Sequence, residues 1–276
     1  MLNDEEKREL EGMARLIRRN ILAMMGNGQG GHFGGSLSAA DIITALYFRV
    51  LRVDPQDPEL PQRDRFILSK GHAAAALYSA LAEKGFFPRE RLFDSFRIRI
   101  DGMLQEHPDM RKTPGIDMST GSLGQGLSAA VGMALGRRLL KREFLIYVVL
   151  GDGELQEGQV WEAAMAAAHY RLSEITAVVD YNRLQVSGSV EEVLGIEPLR
   201  LKWEAFNWKV REIDGHDMNE ICAALEAKRN PGDAPSLIIA HTVKGKGVSF
   251  LENEAGSHSR SLSPAELEIA MKEVGG

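Results

Sequence analysis

Apolar runs alternate with amphipathic segments along most of the chain. Five short apolar runs, several of them rich in β-branched residues, indicate strands at 65–69, 144–150, 175–179, 208–213 and 236–240. The least polar of these runs suit strands that are buried on both faces. Segments with Ala-rich or i, i+3, i+4 patterns lie between these runs and indicate helices. The alternation predicts an α/β fold, a doubly wound, mostly parallel sheet with helices on both faces.

Capping residues predict where several helices begin. Asn3 precedes a first helix whose apolar positions run from Leu10 to Met24. Further helix starts are predicted from pairs that resemble capping boxes: Ser38 with Asp41, Asp217 with Glu220, and Ser263 with Glu266. The first two of these helices are expected to reach Leu51 and Lys228.

The stretch from Phe144 to Gly188 is typical of a βαβ unit, whose parallel strands end at the edge of the sheet where ligands bind. Asp152 follows the first strand and Asn182 follows the second. A carboxylate, an amide oxygen and a nearby carbonyl, for which Leu184 is the candidate, are hard ligands suited to Mg²⁺ or Ca²⁺. Gly153 lacks a Cβ, so a phosphate can approach its N–H closely. The pattern favours a metal-bridged diphosphate, and a plain Gly-Asp-Gly turn is the alternative.

Four of the seven histidines lie in loops beside glycine, proline or serine, as expected for a polar pocket where protons move: His32, His72, His107 and His258. His72 also follows a strand and precedes a helix, where backbone N–H groups favour an anion. The remaining three are interpreted as surface or core residues: His169, His216 and His241.

Composition excludes some classes of protein. A chain of 276 residues permits one large α/β domain, with a net charge of −6 that does not suggest a nucleic-acid-binding surface. The single cysteine, Cys222, cannot form an intramolecular disulfide, and no apolar run has the length of a membrane span. The acidic N-terminus lacks a signal-peptide core, so a cytoplasmic location is expected.

The motifs resemble those of the transketolase family of thiamine diphosphate enzymes. They follow the family's order over nearly the whole chain: GGHFGG, SKGHA, EHPD, GSLGQG, GDGELQEG, DYNRLQ and HTVKGKG. The resemblance implies that residues 1–276 form one domain that binds thiamine diphosphate with Mg²⁺ or Ca²⁺. It also implies transfer of a two-carbon ketol unit from a ketose phosphate to an aldose.

The resemblance assigns roles on the cofactor side of the site. Asp152, Asn182 and the Leu184 carbonyl are implied as metal ligands, and His72 and Gly153 as contacts of the diphosphate. Gly121 and Leu123 are expected near the thiamine rings.

On the substrate side, the resemblance implies that His32 and His107 contact the sugar. His258 falls where a histidine contacts both diphosphate and substrate, although its Ser-His-Ser surroundings depart from the family's pattern. Glu157 and Glu162 are implied in a carboxylate network at a subunit interface, and a simple acidic bias at a helix N-terminus is the alternative.

A full transketolase carries two more domains than this sequence shows, so the resemblance implies the N-terminal subunit of a split enzyme. The expected partner is a C-terminal subunit with the pyrimidine-binding domain and the activating glutamate, in an α₂β₂ assembly. Pentose phosphates are the default substrates, with a specialised sugar or sulfosugar as the alternative. The rival interpretations are the α subunit of a 2-oxo acid dehydrogenase, a non-catalytic regulatory subunit, and a domain that binds another phosphate compound.

Overall fold

The computed structural model describes residues 2–26, 28, 30–97, 102–227 and 232–275. Five parallel strands form one sheet in the order β1-β2-β3-β7-β6. A two-stranded antiparallel hairpin, β4 and β5, follows β3. The strands are β1 (Arg65–Leu68), β2 (Ile146–Gly151), β3 (Ile175–Tyr181), β4 (Leu184–Gln185), β5 (Gly188–Ser189), β6 (Lys209–Asp214) and β7 (Ser236–His241).

Helices cover both faces of this sheet. Their bounds are α1 (Asp4–Met25), α2 (Phe33–Ser38), α3 (Ala40–Ala45), α4 (Ala74–Lys84), α5 (Arg91–Asp94), α6 (Gln125–Leu139), α7 (Gly158–His169), α8 (Val190–Leu194), α9 (Leu199–Ala205), α10 (Met218–Glu226) and α11 (Pro264–Gly275). Alternate residues of the central strands pack into two cores. One core contains α1, α3, α4 and α10, and the other contains α6, α7 and α9. The predicted doubly wound, mostly parallel sheet is therefore confirmed.

The local predictions have mixed outcomes. Asn3 caps α1 in a full capping box with Glu6, and Asp217 caps α10. The capping box predicted for Ser38 and Asp41 is wrong, because α3 begins at Ala40 without a side-chain cap. The predicted end of α10 at Lys228 lies outside the described residues.

The carboxyl ends of the strands meet at one edge of the sheet. Gly151 at the end of β2 is in register with Asp180 on β3, and Tyr181 is in register with His241 on β7. The loops that follow β1, β2, β3 and β7 therefore begin side by side. In the described part of the chain, no helix is long and apolar enough to cross a membrane.

Candidate active site

A cavity of about 360 Å³ opens at this carboxyl edge and collects the loops that carry the sequence motifs. Nearly all of the residues singled out from the sequence line it: His32, His72, His107, Gly121, Leu123, Asp152, Gly153, Glu157, Asn182, Leu184 and His258. Glu162 does not line the cavity and is exposed on α7. The fold thus brings together residues that are up to 226 positions apart, from His32 to His258.

The three oxygen groups proposed as metal ligands follow β2 and β3. The Asp152 carboxylate is almost fully buried and accepts hydrogen bonds from the backbone N–H groups of Gly153 (2.7 Å) and Arg183. The Asn182 side-chain oxygen accepts from Leu184 N–H at 3.1 Å. Burial, together with the nearby Asp180 carboxylate, raises the pKa of Asp152 to about 6. A cation at this site would favour the charged form of the carboxylate.

Four histidine rings face one another across the cavity. The ring centroid of His32 lies 5.5 Å from that of His72, 6.0 Å from that of His107 and 5.3 Å from that of His258. Burial lowers the pKa of His32, of His72 and of His258, the last to about 4. These three rings are therefore uncharged at neutral pH and can accept or donate hydrogen bonds to hydroxyl groups.

We expect His258 to lower the free energy of unfolding as the pH is lowered from 7 to 4. The His258 pKa is about 4 when folded against an ordinary 6.5, so its stabilising contribution is complete above about pH 6.5 and is lost toward pH 4. His258→Gln should flatten this slope in urea unfolding followed by circular dichroism. The matched control is His169→Gln, at an exposed position on α7. Equal slopes for the wild type and His258→Gln would contradict the burial of this ring.

A buried ion pair lies beneath the histidines. Lys70, which follows β1, donates to the Asp180 carboxylate on β3 and to the Gly35 carbonyl at 3.0 Å. Ser38 donates to the same carboxylate at 2.6 Å, and so does Thr242. Asp180 is completely buried. Burial alone would raise its pKa, but Lys70 and the two hydroxyls hold the pKa below the usual value. The network ties four separate segments of the chain to the floor of the cavity.

Lys244 brings a second cation to the cavity. Its ammonium group donates to the Leu184 carbonyl at 3.0 Å, and the side chain is almost fully buried. Burial lowers the pKa of Lys244 to about 8, so the group is still mostly charged at neutral pH. Its charge, together with the hydrogen bonds that the uncharged histidines can donate, makes the cavity suited to an anionic group.

Two carboxylates near the GDG turn have different surroundings. Glu154 is buried and accepts from Ser69 Oγ, from Gly124 N–H at 2.9 Å and from Gly151 N–H at 3.0 Å. Its role is to hold the turn against the GSLGQG loop. Glu157 is exposed, lies at the start of α7 and lines the mouth of the cavity.

Sequence reasoning missed several residues of this site: Lys70, Glu154, Asp180 and Lys244. The signal was present in part, since Lys70 and Lys244 lie inside the SKGHA and HTVKGKG motifs and Asp180 opens DYNRLQ. The pairing of Lys70 with Asp180 joins positions 110 residues apart, which only the fold reveals.

The residues present fit a thiamine diphosphate. The cavity combines cationic side chains with close-packed glycines: Gly121 has a φ of +146°, and a Cβ there would lie 3.1 Å from the His107 ring. A Cβ on Gly153 would lie 3.2 Å from the Gln185 side chain. The missing side chains let these two loops pack closely against His107 and Gln185, and they leave the backbone N–H groups open to a ligand. In the residues that the structure describes, no group of three or more His, Cys, Asp or Glu side chains could hold a metal by itself.

The fold and the cavity define an α/β domain with its candidate ligand site at the carboxyl edge of a parallel sheet. The family model described as "Transketolase, thiamine diphosphate binding domain" matches residues 11–276. The chain therefore belongs to the transketolase family and corresponds to the N-terminal, thiamine diphosphate-binding part of that enzyme.

Two relatives match this chain over nearly their full length. The chain is 47% identical over 270 residues to a 6-deoxy-6-sulfo-D-fructose transketolase subunit of Clostridium sp. (strain MSTE9), in a match that covers 98% of both chains. It is 41% identical to an apulose-4-phosphate transketolase subunit of Phocaeicola vulgatus, with 96% of this chain and 93% of the relative covered. Both relatives are named as subunits, and these matches do not favour a 2-oxo acid dehydrogenase or a regulatory subunit.

A solved structure agrees with this assignment. The transketolase from Leishmania mexicana superposes with a TM-score of 0.90 and 28% identity, covering 96% of this chain. The chain spans 41% of the length of that transketolase. The sheet order and the helices on both faces are thus those of a transketolase N-terminal domain.

Proposed function

We propose that this chain is the cofactor-binding subunit of a two-chain transketolase that moves a two-carbon ketol unit from a ketose with a terminal anionic group to an aldose. The single observation that carries the proposal is the joint placement of Asp152, Asn182 and the four histidine rings around one cavity. The likeness to a sulfofructose transketolase subunit makes 6-deoxy-6-sulfo-D-fructose the first donor to test, and a ketose phosphate the second.

In this proposal Asp152, Asn182 and the Leu184 carbonyl hold a Mg²⁺ or Ca²⁺ ion, with the diphosphate completing its coordination. In this structure the Lys244 ammonium group donates to the Leu184 carbonyl. An ammonium group and a metal cation at the same oxygen would repel each other. We therefore expect the ammonium group to leave the carbonyl when the metal binds, and a bound diphosphate would be an anion that it can pair with. His72 and Gly153 contact the same diphosphate, and Gly121 and Leu123 lie near the thiamine rings.

Thiamine diphosphate supplies a nucleophilic carbon and an electron sink for the two-carbon fragment. The chain's own residues position the sugar and handle protons. In this proposal His32 and His107 hold the hydroxyl groups of the ketose. His258, whose ring centroid lies 5.3 Å from that of His32 and 4.9 Å from that of His72, contacts both the substrate and the diphosphate. The neutral rings of His32 and His258 can accept a proton from a hydroxyl group and return it.

The partner in this proposal is a C-terminal subunit that carries the pyrimidine-binding domain, and the assembly is α₂β₂. Glu157 and Glu162, both exposed in this chain, would then meet carboxylate partners at the subunit interface. The proposed function is tested by mixing the chain with its partner subunit, thiamine diphosphate, Mg²⁺, an aldose acceptor and each donor in turn. Formation of a ketose two carbons longer than the acceptor supports it. Cofactor binding without transfer from either donor would contradict it.

Asp152→Ala is expected to weaken the binding of thiamine diphosphate and Mg²⁺ at least about tenfold, because the site loses its one charged oxygen ligand. Asn182→Ala should weaken binding in the same direction, through the loss of a neutral ligand. Isothermal titration of cofactor and metal into the two-subunit complex measures both effects. The control is Asp4→Asn, an exposed position on α1. Wild-type affinity in Asp152→Ala would remove the metal assignment.

His32→Ala and His107→Ala are expected to bind cofactor with nearly unchanged affinity. Their kcat/KM for the donor should fall on the order of 10²-fold, because each loses a group that positions or exchanges a proton with the substrate. Steady-state kinetics at saturating cofactor, paired with cofactor titration, separate the two effects. Poor cofactor binding with normal turnover at saturation would reverse the assignment.

A further inference from the structure

One histidine outside the cavity has two well-defined partners. His216, in the Asp-Gly-His-Asp turn after β6, lies with Nδ1 2.6 Å from a carboxylate oxygen of Asp41. Its Nε2 accepts the backbone N–H of Val243 at 2.8 Å. Because Nε2 is an acceptor, Nδ1 carries the proton and donates to Asp41. The ring is largely buried and is held in one tautomer.

The Asp41 carboxylate is also held by the guanidinium group of Arg18. Arg18 on α1 donates to Asp41 Oδ1 at 3.0 Å, and it also donates to the Leu37 carbonyl at 3.3 Å. Burial alone would raise the pKa of Asp41, but Arg18 and His216 hold the pKa below its usual value. The His216 ring is therefore held by Asp41 on α3, which is in turn held by Arg18 on α1.

The segment 242–244 that this ring holds ends at Lys244, which lines the cavity. Thr242 donates to the buried Asp180 carboxylate, and Lys244 reaches the Leu184 carbonyl. Val243 lies between them, so its N–H is the point at which His216 contacts the segment. The turn also packs tightly, since a Cβ on Gly215 would lie 2.4 Å from Thr242 Cγ2.

We propose that His216 is a positioning residue for the cofactor site, which anchors segment 242–244 and thereby fixes Lys244 where the diphosphate binds. The inference rests on the proposed function. An imidazole suits this task because it alone spans the gap with a donor at one end and an acceptor at the other. Support at a distance of this kind commonly changes ligand affinity by about 10-fold or more without direct contact.

Two substitutions separate positioning of the segment from simple neutralisation of Asp41. In His216→Asn the side-chain amide takes the place of Nδ1 and still donates to Asp41, but no acceptor remains for Val243 N–H. In His216→Gln the longer side chain brings its carbonyl oxygen to the place of Nε2, where it accepts from Val243. The two variants differ by one methylene, so each serves as the control of the other.

The first measurement is hydrogen exchange at the Val243 amide in the cofactor-free chain. Exchange should be faster in His216→Asn than in the wild type, and close to the wild-type rate in His216→Gln. The second is titration of thiamine diphosphate and Mg²⁺ into the two-subunit complex. Affinity should fall about tenfold in His216→Asn and stay within about threefold in His216→Gln, with kcat at saturating cofactor little changed in both.

A double-mutant cycle with Lys244→Met tests the route of the effect. If His216 acts through Lys244, the affinity loss of the double variant should be clearly smaller than the product of the two single losses. Equal behaviour of the Asn and Gln variants, or unchanged Val243 exchange in His216→Asn, would overturn the proposal. A wild-type complex that does not bind thiamine diphosphate would instead overturn the proposed function, and the exchange measurement would still decide whether His216 holds the segment.

Discussion

Replacing Asp180 with Ala is expected to lower the free energy of unfolding by about 3–5 kcal/mol, because it leaves the Lys70 ammonium buried without its counter-ion. Lys70 and Asp180 are both almost completely inaccessible to solvent. The substitution also removes the acceptor of the Thr242 hydroxyl and the shorter of the two hydrogen bonds of the Ser38 hydroxyl, which keeps the Gly35 carbonyl at 3.2 Å. An uncompensated charge and an unpaired hydroxyl in one place make this the most destabilising single change that we expect near the site.

The measurement is urea unfolding at pH 7, with the m-value checked for two-state behaviour. Asp233→Ala is the matched control, because it removes an exposed carboxylate that pairs with Lys209 at the protein surface. Its unfolding midpoint should be close to that of the wild type. The double variant Lys70→Met with Asp180→Leu should recover part of the stability, since it removes both charges together. A loss below about 1 kcal/mol in Asp180→Ala would show that water or another group compensates Lys70.

The sheet could be predicted from sequence because each central strand is buried on both faces. Such a strand is a short apolar run that stands out from its neighbours, as Phe144–Leu150 does against the Gly-Asp-Gly turn. Parallel pairing then places the residues after β2 and β3 at one edge without further information. The two-stranded hairpin after β3 was not predicted, since its strands are only two residues long and carry no periodicity.

Ser38 and Asp41 show where local patterns fail. Their spacing matches a capping box, but each side chain has a stronger partner elsewhere in the fold. Ser38 donates to Asp180, 142 positions along the chain, and Asp41 binds Arg18 and His216. Tertiary hydrogen bonds in a buried environment outweigh a cap that is worth about 1 kcal/mol.

The residues of the candidate site also fall into two groups, one that local sequence patterns reveal and one that only tertiary contacts reveal. Motif residues such as His72 and Asn182 could be found because glycine or a strand end marks them in sequence. The support beneath them could not, since Lys70–Asp180 and His216–Asp41 join elements that only the folded sheet brings together. Glu162 shows the limit of resemblance, because its expected role depends on a subunit interface and it is exposed in this chain.

The last prediction is that residues 1–276 alone do not catalyse two-carbon transfer. The cavity supplies groups for a diphosphate, a metal and the hydroxyls of a sugar, all on loops of one five-stranded sheet. In the described residues, we find no second sheet of this kind that could hold the aminopyrimidine half of the cofactor. In line with the proposed function, we infer that this half is bound by the partner subunit.

Exposed apolar side chains of the isolated chain also indicate a partner subunit. Leu139 is 83% exposed and Leu140 60% exposed at the end of α6, and Tyr170 is 49% exposed at the end of α7. The two helix ends lie together, because Arg138 donates to the Tyr170 carbonyl at 2.7 Å. Exposed apolar groups in one place are typical of a surface that another chain covers.

The decisive experiment adds the partner subunit last. The purified chain is first given thiamine diphosphate, Mg²⁺, a donor ketose and an acceptor aldose. Product formation should be at least about 10²-fold slower than in the complete mixture, because the proposal assigns an acid–base group that acts on the cofactor to the partner subunit. Addition of the partner should then start turnover without a change of any other component. Asp152→Ala assembled with the partner serves as the control, since it keeps the second subunit but lacks the charged metal ligand. Full two-carbon transfer before the partner is added would contradict the split enzyme, because the cofactor would then be bound and activated by this chain alone.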